Sequence, residues 1–398
     1  MLARALALAV CLAAGAALAA NPASMRRLNE AIELLNAGKL AEAREVVAKL
    51  EGAALGPYER SRVEQVTASI EYAQGNLGAA RTHLERARDS GGLNDAELAA
   101  VQFQIAQLYV ADEKWRDGIA ALEAWFAKAE EPGPAAYYLL AVAHFQLGES
   151  ERALAPAQRA VELADPPNAA WLELLIALRL QREEWAQAVP LLERLLSLAP
   201  DRKSAWLQLS AAHAARGDRA GAVAPLAIAR RAGLLRDSSE LRRLAELAFA
   251  AGMPARGAAV LREALAANQL EHDPATERAL GNAYLAARDY ERALAPLERA
   301  AELAEGGDDF ARLAELHAQR DEWPAASRAL RQALAKGKLA RPGQAELLLG
   351  VASYNQGELT AAGQAFARAQ ADPAVRDQAE RWLRLLRSET GVTPAASH

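Results

Sequence analysis

The side chains that could do chemistry are few, and their spacing argues against catalysis. Six histidines come first, because imidazole serves as general base and metal ligand near neutral pH. His144, His213 and His317 fall at one recurring place, four residues before a turn residue, which is a packing position; His83, His272 and His398 are isolated in sequence. No histidine pair stands with a carboxylate at metal-ligand spacing, no glycine-rich loop follows a strand pattern, and no serine sits in a nucleophile elbow. The pair Asp308-Asp309 reads as a solvated loop between repeats, and alternating pairs such as Glu291-Arg292 and Glu298-Arg299 as solvated helix faces. The sequence therefore predicts no enzyme, no metal site, no cofactor and no small-molecule substrate.

The single cysteine, Cys11, belongs to a different kind of signal. The opening MLARALALAVCLAAGAALAA has one arginine, an uncharged apolar run from Ala5 to Ala20, and the small-x-small triplet Ala17-Leu18-Ala19. This reads as a secretory signal over residues 1–20, cleaved near Ala19 or Ala20. The run is shorter than the roughly 20 residues a bilayer-spanning helix needs, although an uncleaved anchor is the alternative. Val10 stands before Cys11 where lipoprotein signals carry a small residue. Cleavage would leave no cysteine, hence no disulfide and no thiolate ligand, and the expected product is a soluble periplasmic protein.

Around these residues the chain is 398 long, 52% hydrophobic and only 5% aromatic, rich in Ala, Leu, Glu and Arg. That is the composition of a helical array. A net charge of −5 argues against a surface for nucleic acid, which needs basic residues gathered on one face.

The array shows as a repeat. ERALAPAQRAVELADP at Glu151–Pro166 returns as ERALAPLERAAELAEG at Glu291–Gly306, and weaker copies lie between. A column of turn residues, Gly38, Gly75, Glu113, Gly148, Glu183, Gly217, Gly252, Arg288, Asp321 and Gly357, recurs every 33 to 38 residues. Two positions later comes an apolar or aromatic residue in most copies, as in Leu40, Trp115, Trp185, Tyr290 and Trp323. Three further on the side chain is always small: Ala43, Ala80, Gly118, Ala153, Ala188, Ala222, Gly257, Ala293, Ala326 and Ala362. Each unit reads as two amphipathic helices, with the small residue where they cross at close range. Pro156, Pro190, Pro225 and Pro296 all fall in the second turn of a second helix.

This spacing resembles the tetratricopeptide repeat over about residues 25–372. The resemblance implies an all-α, right-handed superhelical solenoid of about ten helix pairs, closed by a capping helix over 373–389 and followed by a disordered tail, 390–398. Repeats of this kind stack on nearest neighbours, and their first helices line a concave wall that binds protein or peptide. On that register the wall receives Gln65, Tyr72, Phe103, Gln107, Tyr138, Phe145, Gln146, Glu173, Arg242, Glu246, Phe249, Arg278, Asn282, Glu315, Gln319, Tyr354 and Asn355, a mixture of rings, arginines and amides suited to peptide recognition. Arg278 and Asn282 look like half of a carboxylate clamp, but Arg312 and Asp308 stand where the other half would have Asn and Lys.

Segments such as Gln107–Ala127, Leu191–Ala211, Gly233–Leu265 and Arg341–Leu383 also resemble periplasmic tetratricopeptide proteins encoded beside TonB, ExbB and ExbD. That resemblance implies an accessory of a TonB energy-transduction system for outer-membrane uptake, with TonB, ExbD or a TonB-dependent receptor as partner. The alternative is a structural adaptor for outer-membrane protein, polysaccharide-export or cell-wall assembly.

Overall fold

The computed structural model describes residues 21–51 and 53–390; the expected signal segment, Cys11, His398 and the tail beyond Thr390 lie outside them. Among the described residues there are 21 α-helices and no strand. The chain divides into two compact units, one ending at Pro200 and the other beginning at Asp201.

The first unit holds five helix pairs: α1 (Pro22–Asn36) with α2 (Leu40–Glu51), α3 (Pro57–Ala73) with α4 (Leu77–Asp89), α5 (Asp95–Ala111) with α6 (Trp115–Phe126), α7 (Pro134–Gln146) with α8 (Ser150–Glu162), and α9 (Ala169–Gln181) with α10 (Trp185–Leu198). The second holds five more: α11 (Lys203–Ala215) with α12 (Arg219–Arg231), α13 (Ser238–Ala250) with α14 (Pro254–Ala266), α15 (Pro274–Ala286) with α16 (Tyr290–Leu303), α17 (Asp308–Ala318) with α18 (Trp323–Lys336), and α19 (Pro342–Asn355) with α20 (Leu359–Ala369). A closing helix, α21 (Arg376–Thr390), packs on α20. Within each unit a second helix also packs on the first helix of the next pair, so each unit is held by a series of nearest-neighbour interfaces.

The turn column explains why each pair folds back at its place. All ten residues take φ between 56° and 84°, the left-handed region that ends a helix. In every copy the amide one residue later donates to the carbonyl four residues before the column, as Glu149 to His144 at 2.9 Å and Asp289 to Tyr284 at 2.8 Å. That bond, with one from the column amide itself to the carbonyl three residues before it, is a Schellman closure. Six of the ten are glycine, which adopts this φ without steric cost, while Glu113, Glu183, Arg288 and Asp321 adopt it against preference.

The small column is buried throughout. Its eight alanines are 0% exposed, and Gly118 and Gly257 are buried too. A Cβ added to Gly118 would meet Val110 Cγ2 at 2.9 Å, so the crossing of α5 and α6 is tighter than alanine allows. A second small column escaped the sequence reading. Seven residues before each turn stand Ala31, Ala68, Ala106, Ala141, Ser210, Ala245, Gly281, Ala314 and Gly350, with Ile176 the exception. A Cβ on Gly350 would lie 2.4 Å from the Phe366 ring, and one on Gly281 would lie 2.5 Å from Leu297. Pro156, Pro190, Pro225 and Pro296 lie inside α8, α10, α12 and α16 as expected.

Candidate functional site

The histidine column clasps turns. His144 Nδ1 meets Glu149 at 2.8 Å, His213 meets Asp218 at 2.9 Å, and His317 meets Glu322 at 2.6 Å. The same two positions pair Glu71 with Asn76 at 2.8 Å and Arg179 with Glu184. In half of the repeats, therefore, a side-chain bond doubles the backbone closure of the turn. The hydrogen bond from His144 holds the Glu149 carboxyl below the usual carboxylate range; for Glu322 the bonds from His317 and Arg320 do so, and for Asp218 the amide of Gly221 and then His213. Two histidines isolated in sequence are paired in space. His83 meets Glu64 at 2.6 Å, and His272 meets the fully buried Glu277, which Arg299 also reaches at 3.0 Å. The first pair crosses from α4 to α3 and leaves no local spacing to read, whereas the second has the same five-residue spacing as the turn clasps but lies before α15, outside the turn column.

Of the residues assigned to the binding wall, some tie neighbouring elements, some bond within their own helix or stay exposed, and two face a groove. In the first unit Gln65 is buried and bonded within its own helix, donating to Ser61 at 3.3 Å and accepting from Arg62 at 3.1 Å. Phe103 packs on Trp125 with ring centres 4.8 Å apart. Tyr138 stacks on Trp171 of the following pair at 5.6 Å, and burial, with Glu173 nearby, pushes its phenol up. Tyr72, Gln107, Phe145 and Glu173 are half-buried and Gln146 is exposed.

In the second unit the arginines are already engaged. Arg242 donates to Asp273 at 2.7 Å, and Arg278 forks onto both oxygens of Asp309 at 2.7 Å each. Each bond runs from one first helix to the start of the next pair, so the guanidinium that resembled half a carboxylate clamp already holds a carboxylate of its own chain. Phe249 packs into the core, Tyr354 lies 5.2 Å from Trp382 of the closing helix, and Asn355 donates to the Val351 carbonyl at 2.8 Å. Glu246 is exposed, and Asn282 keeps a buried Oδ1 that accepts no hydrogen bond.

Glu315 and Gln319 are different. They face a groove of about 390 Å³ between α17 and α19, completed by Ala318, Gln344, Leu347, Leu348 and Val351. Glu315, Gln344 and Leu348 also line an adjoining cleft of about 220 Å³, where Asp308, Arg312 and Arg341 add charge. Arg341 lies 3.9 Å from Glu315, and Asp308 accepts the Ala340 amide at 2.9 Å. An aliphatic floor with amides and separated charges at its rim can desolvate an apolar side chain and hydrogen-bond an extended backbone. Sequence reading missed Leu347 and Val351, which occupy wall columns of α19 but read as core because they are aliphatic, and Gln344, which lies one turn before those columns.

Ten hairpins closed by left-handed turns and packed through small residues define a helical-repeat interaction scaffold. Two profiles described as tetratricopeptide repeat match this chain, one over residues 103–170 and 312–375 and the other over 172–205. The chain carries tetratricopeptide repeats, and its fold is all-α. No curated protein matches it. Solved structures to which it is similar include YrrB, described as a tetratricopeptide protein with an unusual peptide-binding site (17% identity, 45% of this chain and 88% of that one, TM-score 0.38). A tetratricopeptide-repeat protein from Parabacteroides merdae is 17% identical, with 65% of this chain and 98% of that one covered and a TM-score of 0.38. MamA is 20% identical, with 43% and 90% covered and a TM-score of 0.38. Likeness at this distance bears on neither partner nor site. Among the described residues no helix is long and apolar enough to cross a membrane.

Proposed function

We propose that this interaction scaffold works in the periplasm and grips an extended segment of a protein partner in the groove between α17 and α19. The observation that carries the reading is the groove: Leu347, Leu348 and Val351 form an aliphatic floor, with Glu315, Gln319 and Gln344 around it. The finer reading is an accessory of a TonB–ExbB–ExbD system, with TonB, ExbD or a TonB-dependent receptor supplying the segment. It rests on the resemblance of the repeat segments and on the signal-like first twenty residues.

The test is a photo-crosslinking residue at exposed Gln344, with identification of the captured protein. Tyr138 is a poorer site, because its ring is stacked on Trp171. Capture of TonB, ExbD or a receptor supports the accessory reading, and capture of envelope-assembly factors replaces it with the structural adaptor. Capture from an exposed second-helix control site alone, with nothing from Gln344, overturns the groove. Unaltered TonB-dependent uptake under limiting substrate after deletion of the gene would sink the TonB reading.

A further inference from the structure

The second unit has another opening, formed by the second helices α12 and α14 over Leu244 of α13 and remote in sequence from the groove on α17 and α19. A cleft of about 480 Å³ lies between α12 and α14, floored by Leu244, Val260, Ala227 and Ala259 and rimmed by Arg230, Arg231, Arg256 and Glu263. Arg230 is spoken for, since it meets Glu263 at 3.0 Å. Arg231 and Arg256 are exposed and have no carboxylate partner among the described residues; Arg256 reaches only the Met253 sulfur, at 3.9 Å. Ile228, three residues before Arg231 on α12, is 48% exposed. The surrounding sequence is basic as well: residues 216–263 carry nine arginines against five carboxylates, in a chain whose net charge is −5.

We infer that this cleft is a second docking site, and that its occupant is an acidic protein segment carrying a large apolar side chain between carboxylates. Guanidinium forks match carboxylates in planar, bidentate geometry, and two unpaired forks beside an aliphatic floor fit such a segment. A lipid surface fits worse. Membrane attraction grows with the number of basic residues presented together to the headgroups, whereas here two free charges flank a recess that also contains Glu263. The same carboxylate disfavours a polyphosphate chain, whose affinity depends on neutralising many phosphates.

The experiment uses the full chain and a fluorescently labelled twelve-residue peptide of repeating Glu-Glu-Leu, followed by anisotropy at low and physiological salt. Saturable binding is expected, weakened at least tenfold by R231A combined with R256A, weakened by salt, and unchanged by Val351→Asp in the groove. A Gln-Gln-Leu peptide should bind at least tenfold less tightly. Circular dichroism of the double variant should match the parent, since both arginines are exposed and unpaired. Absence of saturable binding overturns the inference, as does equal binding of the glutamine peptide. Arginine-dependent binding of phosphatidylglycerol vesicles without peptide binding would assign the cleft to lipid and overturn it too. Failure here leaves the groove reading standing, because that reading is tested by capture at Gln344.

Discussion

The ten left-handed turns allow a two-way test of what sets the stability of each hairpin. Glu113, Glu183, Arg288 and Asp321 hold φ between 56° and 60°, and none makes a side-chain hydrogen bond or ion pair among the described residues. A left-handed residue with a Cβ costs roughly 1–2 kcal/mol, so Glu183→Gly relieves that much. The glycine's greater freedom in the unfolded chain takes back about 0.4–1 kcal/mol. The net expectation is stabilisation of about 0.5–1 kcal/mol at Glu113, Glu183 and Arg288, and less at Asp321, because Asp tolerates the left-handed region better. The reverse change is equally clean. A Cβ on Gly148 or Gly217 would meet nothing within 4 Å, so G148A and G217A carry only the conformational cost and should destabilise by about the same amount. Urea denaturation followed by circular dichroism reads both series. The four sites lie in separate turns, so the quadruple glycine variant should add to about 1.5–3 kcal/mol from Glu113, Glu183 and Arg288, with a smaller increment from Asp321. Urea midpoints that fall for E183G, or rise for G148A, would refute the reasoning, because they would mean that the side chains at these turns contribute more than the backbone conformation costs.

The packing columns give a second set of expectations. Gly350→Ala places a methyl 2.4 Å from the Phe366 ring, which is fully buried and stacked on Trp382 at 5.3 Å. Overpacking of about 1–3 kcal/mol should exceed the roughly 1 kcal/mol gain in helix propensity, and the urea midpoint should fall. Ala153→Trp, at a 0% exposed crossing, should cost at least about 1–3 kcal/mol by the same assay. For Asp273, burial pushes the carboxyl up, but the Thr276 amide and hydroxyl together with Arg242 outweigh it and bring the pKa from 3.8 down to about 2. Its contribution is therefore fully present above about pH 4 and lost as pH falls through 2, so Asp273→Asn should flatten the acid dependence of the urea midpoint across that window. Val351→Asp in the floor of the groove should abolish crosslinking from Gln344 while leaving the circular dichroism spectrum unchanged, because Val351 is only half-buried.

What could be read from the sequence and what could not have physical reasons. The turn and crossing columns were legible because local sterics decide them: a left-handed turn and a close helix crossing each restrict one position, whatever surrounds it. Even the four turns without glycine were legible, since their spacing identified them where their residue type did not. The Gly281 and Gly350 column was missed because its most frequent residue is alanine, and alanine is common everywhere in this chain. The binding wall was legible only as a set of columns. Arg278 and Glu315 occupy neighbouring wall positions on consecutive first helices, yet Arg278 is bonded to Asp309 and Glu315 faces the groove. Whether a wall residue serves the scaffold or faces the groove depends on what the next pair presents at its start, an aspartate in one case and Gln344 with Leu348 in the other. That is a property of two repeats together, so no template aligned on single repeats can contain it. The unpaired arginines at 231 and 256 follow the same rule: in sequence they resemble Arg230, and only the position of Glu263 separates them from it.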